Sequence, residues 1–515
     1  MSKSYIITGI ILVFLLSLFV FQQINLTTAD IGRHITNGKL LINAESSGIS
    51  RYAFLHTNFF SFTYPDFPFV NHHWGSGVLS YLIFLGFGFS GLSLVYGGLI
   101  ILATLFLFYM WKNILTVLIS FPVVLFLIPL IVERTEVRPE SLSYLFIALT
   151  ITLLYLYISN QIQKKWLWFI PIISLVWVNT HIYFIFAPFF IGIFLVETFV
   201  RKNFDKTKTL GLFLGLSTLT LFINPYGIVG VLYPFTMFQN YGYLIVENQS
   251  ISFLTNLHIN NPNFLWWKIA SIIFITSSLF VFWKYRPKFP IALFCIASVF
   301  AVLSFLGIRH LTAYGLILIP TFLCYGYILY KKPENEKALL THTISSIVVS
   351  VLIFISIFIQ FNTRLPWNTY WGIGLQPNVN VGARFVKTLN ISGLIFSNYD
   401  IGGYIIFHMY PQEKVFVDNR PEAYPVGFFQ QEYIPMQESE LVWNTELVKW
   451  NFNTIWFYRN DLTPWAQKFL ITRIEDPLWA PVFVDDYSII FLRRVEKNAK
   501  VIEQYELPKS MFTVK

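Results

Sequence analysis

Asp30 and His34 stand four residues apart in Thr28-Ala29-Asp30-Ile31-Gly32-Arg33-His34-Ile35-Thr36-Asn37-Gly38, directly after the first apolar segment. On a helix leaving a membrane, that spacing sets a carboxylate and an imidazole on one face. They can act as base and partner, or as two ligands of a divalent metal ion. The same Asp30 also fits a helix cap or a solvated helix end. A second cluster, Asn71-His72-His73-Trp74, sets two imidazoles beside an indole, a composition that an interfacial aromatic belt shares. A third, Glu133-Arg134-Thr135-Glu136-Val137-Arg138-Pro139-Glu140, either neutralises itself or offers Arg134 or Arg138 to a phosphate, which a guanidinium meets in bidentate fashion. Arg309-His310 opens a later apolar segment and carries the same two readings, a snorkelling arginine or a phosphate ligand. Asn179, His181 and Glu247 complete the set, and Asn224-Pro225-Tyr226-Gly227 is a structural stop to a span.

The elements that must position these groups are membrane helices. The chain has 515 residues, 55% hydrophobic and 12% charged, whereas a soluble domain carries about 25% charged residues. A bilayer core of about 30 Å needs about 20 apolar residues per helix. Apolar runs at 5–22, 92–111, 114–132, 141–159, 166–178, 182–199, 209–223, 264–283, 290–307, 311–330 and 341–361 therefore predict roughly eleven spans. The segment 166–178 is short, and Trp177-Val178-Asn179-Thr180-His181 after it suits a helix break shielded by protein or water. Lys3, Lys112, Lys164-Lys165, Arg201-Lys202, Lys284 with Arg286, and Lys331-Lys332 fall in alternate gaps. The positive-inside rule then makes the N-terminus cytoplasmic and the C-terminus extracytoplasmic.

Every chemistry-bearing residue above falls, on that topology, on the outer side of a multi-pass cell membrane protein. Carboxylates, imidazoles and guanidinium groups collected on one face, against plain positive charge on the other, describe an enzyme working at that face. The net charge of +9 belongs to loops, and no basic-aromatic surface for nucleic acid is present. Cys295 and Cys324 lie inside apolar segments, which argues against a disulfide framework.

Two regions are not spans. Residues 23–89 form an outer loop whose last part, 77–89, is expected to be an interfacial amphipathic helix. The transmembrane domain occupies 1–362, and 363–515 form a small soluble α/β domain. Strands are expected at Gly393–Ser397, Lys414–Asp418, Thr454–Tyr458, Pro481–Val484 and Tyr487–Arg493, in a mainly parallel sheet. Asp400 and Asp418-Asn419-Arg420 each follow an expected strand, where loops bind ligands. Helix capping by Asp400 and an internal Asp418–Arg420 ion pair explain them equally.

Taken in order, Asp30-x-x-x-His34-x-x-x-Gly38, Asn71-His72-His73-Trp74, Arg138-Pro139, Trp177-x-Asn179-x-His181, Asn224-Pro225-Tyr226-Gly227, Asn398-Tyr399-Asp400-x-Gly402-Gly403-Tyr404 and Lys414-Val415-Phe416-Val417-Asp418-x-Arg420 resemble the pattern of a group of prokaryotic polytopic proteins placed with the GT-C glycosyltransferases. The resemblance runs from Asp30 to about Tyr424. It implies a GT-C-like helical membrane domain and an inverting hexosyl- or pentosyltransferase. Such an enzyme takes a sugar from a polyprenyl-phosphate or polyprenyl-diphosphate carrier and delivers it to a glycan, lipid or protein acceptor. It also implies that Asp30 occupies the place of the essential acid of the first outer loop. That acid is often followed by a second acidic residue, and here Ile31 and Gly32 follow instead, so Asp30 as base and Asp30 as metal ligand both stay open.

The chemistry suits the residues without the resemblance. Glycosyl transfer from a lipid phosphate needs a carboxylate to deprotonate the acceptor, cations for the departing phosphate and access from the lipid. Asp30 supplies the first, with His34 as its partner, and Arg134, Arg138 or Arg309 the second. His72, His73, Trp74, His181 and His310 are the remaining substrate-binding candidates, and Trp74 and Tyr226 suit stacking on a sugar face. Other readings are a transporter or flippase of lipid-linked glycans, or a non-catalytic envelope assembly protein. A transporter is expected to carry inverted repeats and mid-membrane helix breaks, and the polar groups lie at one edge instead.

Overall fold

The structure is a computed structural model that describes residues 3–47, 50–110, 114–236, 241–329, 336–364 and 371–512, most of them helical. Lys112, Lys331 and Lys332 of the basic clusters lie outside the described residues. Among the described residues, six helices are long and apolar enough to cross a membrane: Trp74–Phe108, Glu140–Ile158, Ile182–Val200, Asn263–Lys288, Ile308–Leu329 and Leu340–Gln360. Ile6–Val20, Phe121–Ile131 and Ile291–Leu306 are apolar but shorter. These nine helices fall on nine of the eleven segments expected as spans. The segments expected at 166–178 and 209–223 form the helices Phe169–Val178 and Phe204–Thr220. Phe169–Val178 has 10 residues and rises only about 15 Å, half the hydrocarbon thickness.

The chain divides into two compact units. One comprises Met1–Gln22, Ser93–Pro234 and Ile245–Gly372, and holds most of the apolar helices. Its centre is the helix Ile308–Leu329, along which Tyr314, Leu316, Ile317, Leu318 and Ile319 are completely buried. Such an all-round apolar helix is the sign of a helix enclosed by others.

The other unit comprises Gln23–Leu92, Phe235–Leu244 and Ile373–Lys515, so the outer loop and the C-terminal region share one core. The expected interfacial helix 77–89 is the first part of the helical stretch Trp74–Phe108, which is interrupted at Gly88, whose φ of 62° suits a residue without a Cβ. Leu82, Leu85 and Phe87 are exposed on it.

The sheet of this unit has four strands, β1 (Ile395–Ser397), β2 (Thr454–Tyr458), β3 (Trp479–Val484) and β4 (Ser488–Arg493), in the order β1-β2-β4-β3. Only β1 and β2 run parallel. β4 is antiparallel to both β2 and β3, which corrects the expectation of a mainly parallel sheet. The physical reason is the three-residue link Asp485-Asp486-Tyr487, short enough only for a hairpin between β3 and β4. Lys414–Asp418 is not a strand of the sheet. Its Val415 exchanges hydrogen bonds with the outer loop instead, donating to the Phe60 carbonyl at 3.0 Å and accepting from the Phe62 amide at 3.1 Å. An aromatic core of Phe396, Phe416, Trp443, Phe452 and Phe457, all completely buried, fastens these pieces together.

Candidate functional site

Within the unit that contains the sheet, Asp30 precedes the helix Ile31–Ile42 and makes no side-chain cap hydrogen bond to it. Its carboxylate turns instead to a loop 389 residues further along: the Asn419 side-chain amide donates to Asp30 Oδ1. Arg33 Nε donates to Asn419 Oδ1 at 3.2 Å, and Arg33 also lies 3.7 Å from Asp30 Oδ1. The three groups form a closed acid–amide–guanidinium set, in which Arg33 is buried and the Asp30 side chain keeps 20% of its surface exposed.

Glycines set this approach. A Cβ on Gly402 would stand 2.4 Å from Asp418 Cα, and one on Gly32 would stand 3.0 Å from the Gly403 carbonyl oxygen. The helix Gly402–Met409 therefore lies directly between the helix Ile31–Ile42 and the Asp418 loop. Gly402→Ala must shift backbone, and a loss of stability of about 1–3 kcal/mol is expected from thermal unfolding of the full chain in detergent.

Asp418 and Arg420 are turned on each other. Arg420 donates to both carboxylate oxygens of Asp418, at 2.7 and 2.6 Å, and to Asn58 Oδ1 at 2.9 Å, and its guanidinium lies 4.8 Å from the centre of the Phe69 ring. Both residues are buried, so the internal ion pair is the arrangement found. Glu422 next to them is raised above the ordinary carboxylate range by burial, against the lowering pull of Arg33 and Arg420.

His34 and His73 meet edge to face with ring centres 5.4 Å apart, and His72 and His73 are 3.8 Å apart. The contact depends on Gly38, whose Cβ would meet the Gly77 carbonyl oxygen at 2.1 Å. The eight-residue interval from Asp30 to Gly38 thus seats the helix Ile31–Ile42 against the start of the helix that begins at Trp74. His72 Nδ1 lies 3.2 Å from the Val70 carbonyl oxygen. The structure brings Asp30, His34, His72, His73 and Trp74 into one unit. Among the described residues no three His, Cys, Asp or Glu side chains are arranged to hold a metal ion.

The remaining candidates belong to the unit of membrane helices. Glu247, on the short turn Val246–Asn248, gathers three arginines. Its Oε2 accepts from Arg134 at 2.7 Å and Arg138 at 3.0 Å, and its Oε1 from Arg309 at 3.3 Å. Glu140 pairs with Arg134 at 3.2 Å, and Arg309 also donates to Asn248 at 2.9 Å. Burial works to raise the Glu247 carboxyl, and the guanidinium groups of Arg134, Arg138 and Arg309 outweigh it, so the group is held below the ordinary carboxylate range.

Glu133, beside this cluster, accepts from the side-chain amides of Asn261, at 2.7 Å, and Asn263, at 2.5 Å. Burial nevertheless raises its carboxyl to about 7. A raised folded value stabilises the fold below the unfolded value of about 4.3 and loses that contribution as pH climbs through 7. Glu133→Gln is therefore expected to flatten the fall in thermal midpoint between pH 5 and 8. Parallel curves for the two proteins would contradict this.

His310 Nδ1 lies 2.8 Å from Tyr183 Oη, and His181 Nδ1 lies 2.7 Å from Ser143 Oγ, which also receives the Trp177 indole N–H at 2.7 Å. Trp177 and His181 thus fasten the end of the helix Phe169–Val178, a structural duty for the helix break expected there. Asn224 accepts from the Tyr226 amide at 2.8 Å and donates to the Leu221 and Gly227 carbonyls, which makes it the expected stop. Arg33 and Glu140 stand inside motifs singled out in the sequence but were given no role there.

Comparison with solved structures places this arrangement in a known fold. The chain is similar to the archaeal oligosaccharyltransferase AglB from Archaeoglobus fulgidus, solved in complex with an inhibitory peptide and a dolichol-phosphate. The TM-score is 0.61 at 11% identity, over 93% of this chain and 72% of that one. It is also similar to the apo form of the Archaeoglobus fulgidus oligosaccharyltransferase, with a TM-score of 0.60 at 12% identity over 88% of this chain and 70% of that one. No protein-family model and no curated protein sequence matches the chain. At such identities the likeness is one of fold: this is a membrane protein with a GT-C-like architecture.

Proposed function

We propose that this GT-C-like chain is an inverting glycosyltransferase that moves a hexose or pentose from a polyprenyl-phosphate-linked donor to an extracytoplasmic glycan, lipid or protein acceptor. The observation that carries the reading is the state of Asp30, a carboxylate at a helix start that leaves the helix uncapped and is held by Asn419 and Arg33. A carboxylate used only as a cap would bond the first amides of its own helix.

In this reading Asp30 takes the proton of the acceptor hydroxyl as the acceptor oxygen forms its bond to the anomeric carbon. The bond from that carbon to the carrier phosphate breaks, and the electron pair leaves with the phosphate oxygen. One displacement at one carbon inverts its configuration. Arg134, Arg138 and Arg309 supply positive charge suited to a lipid phosphate, with planar donors that match its oxygens. His34, His72, His73 and Trp74 belong to the same unit as Asp30 and are assigned to acceptor or sugar binding. His181 and His310 hold Ser143 and Tyr183, and so act through other residues. The dolichol-phosphate and the inhibitory peptide captured in the similar archaeal protein support a lipid-linked donor and a polymeric acceptor as the ligand classes to test first.

The test is sugar transfer or release from synthetic polyprenyl-phosphate sugars by the full chain in lipid nanodiscs. Turnover with at least one donor is expected. Its absence with every hexose and pentose donor would move the assignment to carriage of lipid-linked glycans without chemistry.

A further inference from the structure

We infer that Asn419, contributed by the C-terminal region, is a positioning residue for Asp30, and this rests on the reading of Asp30 as the base. A guanidinium only donates and an ionised carboxylate only accepts, so a side chain placed between them must accept at one end and donate at the other. Asn419 does this: its Oδ1 accepts from Arg33 Nε at 3.2 Å, and its Nδ2 donates to Asp30 Oδ1. The two neighbours therefore determine which way round the amide sits. An Asp at this position would set a second carboxylate against Asp30, and an Ala would leave Arg33 and Asp30 without their bridge.

The loop that presents Asn419 is itself tightly held. Asp418 and Arg420 on either side are buried and paired at 2.6 Å, Arg420 is tied to Asn58, and the Asp418 backbone N–H donates to Tyr424 Oη at 3.1 Å. Gly402 admits the loop to within a distance that no Cβ would tolerate. Buried anchors on both sides of one polar residue that faces the catalytic carboxylate are the arrangement expected of a support for that carboxylate. A hydrogen bond donated to the ionised form keeps Asp30 in the state a base needs. It also restricts rotation of the carboxyl group, so that the acceptor meets it in one orientation.

The experiment compares pH profiles of kcat and donor KM for the wild-type full chain, Asn419→Ala, Asn419→Asp and Asp30→Asn in nanodiscs. Loss of the amide should move the acidic limb of kcat upward by about one pH unit, since the ionised carboxylate loses a donor. The plateau should fall about 10- to 100-fold with donor KM unchanged. Asn419→Asp keeps the side-chain shape and should move the limb further, because two adjacent carboxyl groups share a proton. It also carries the test if the Ala variant fails to fold. An unmoved limb in the folded Asn419 variants, with Asp30→Asn inactive, overturns the inference and leaves the proposed function standing. Asp30→Asn turning over like wild type, or a wild type without turnover, overturns both.

Discussion

Asp30→Asn, which preserves the shape and removes the charge, is expected to lower kcat for sugar transfer by about 10³-fold while the protein folds as before. Proton abstraction by a positioned base is worth about 10²–10⁴-fold, and no other carboxylate of the described residues is bonded to Asn419 in its place. Thermal stability should change little, because the carboxylate does not cap its helix and an amide can still accept from Asn419. Measuring kcat and the unfolding midpoint of the same preparation separates the two effects. A variant that loses stability and activity in proportion would mark Asp30 as structural.

The second large effect is expected at Glu247. Glu247→Ala removes the carboxylate that gathers Arg134, Arg138 and Arg309, in surroundings where Arg134 and Arg309 are buried. Removing one partner of a buried ion pair costs about 3–5 kcal/mol, and the partial exposure of Glu247 puts the expectation at about 3 kcal/mol. The pH dependence has a definite sign. The carboxyl is held below its ordinary value, so its contribution is complete above the unfolded value of about 4.3 and is lost as pH falls below it. Wild type and Glu247→Ala should therefore converge in thermal midpoint below about pH 4 and diverge toward neutrality. Convergence at neutral pH would mean that Glu247 does not hold the arginines. If these arginines receive a lipid phosphate, such a ligand should restore part of the stability lost in the variant.

The membrane class, the apolar spans and the chemistry-bearing residues were legible in the chain because each is a local property. A run of about 20 apolar residues declares itself wherever it occurs. The four-residue interval from Asp30 to His34 and the doublet His72-His73 are equally local, and all four residues fall in one unit. The partly parallel sheet was misjudged because strand order depends on which segments meet. Lys414–Asp418 has the composition of a strand but bonds to residues 60–62 of the outer loop. Glu247 and the Arg134 run are separated by more than a hundred residues, and the charge run alone suggests that it neutralises itself. In the folded chain Glu140 shares Arg134 with Glu247.

By itself, then, the sequence determined that this is a helical membrane protein with an acid and imidazoles after its first apolar segment and arginines at later helix ends. Periodicity and composition act over one or two helical turns and suffice for that. Only the tertiary structure decided that Asp30 is held by Asn419 rather than by its own helix, and that Glu247 binds three arginines at once. The contact across 389 residues depends on where Gly32 and Gly402 let backbones approach, and no local pattern encodes which segments meet across 389 or 113 residues.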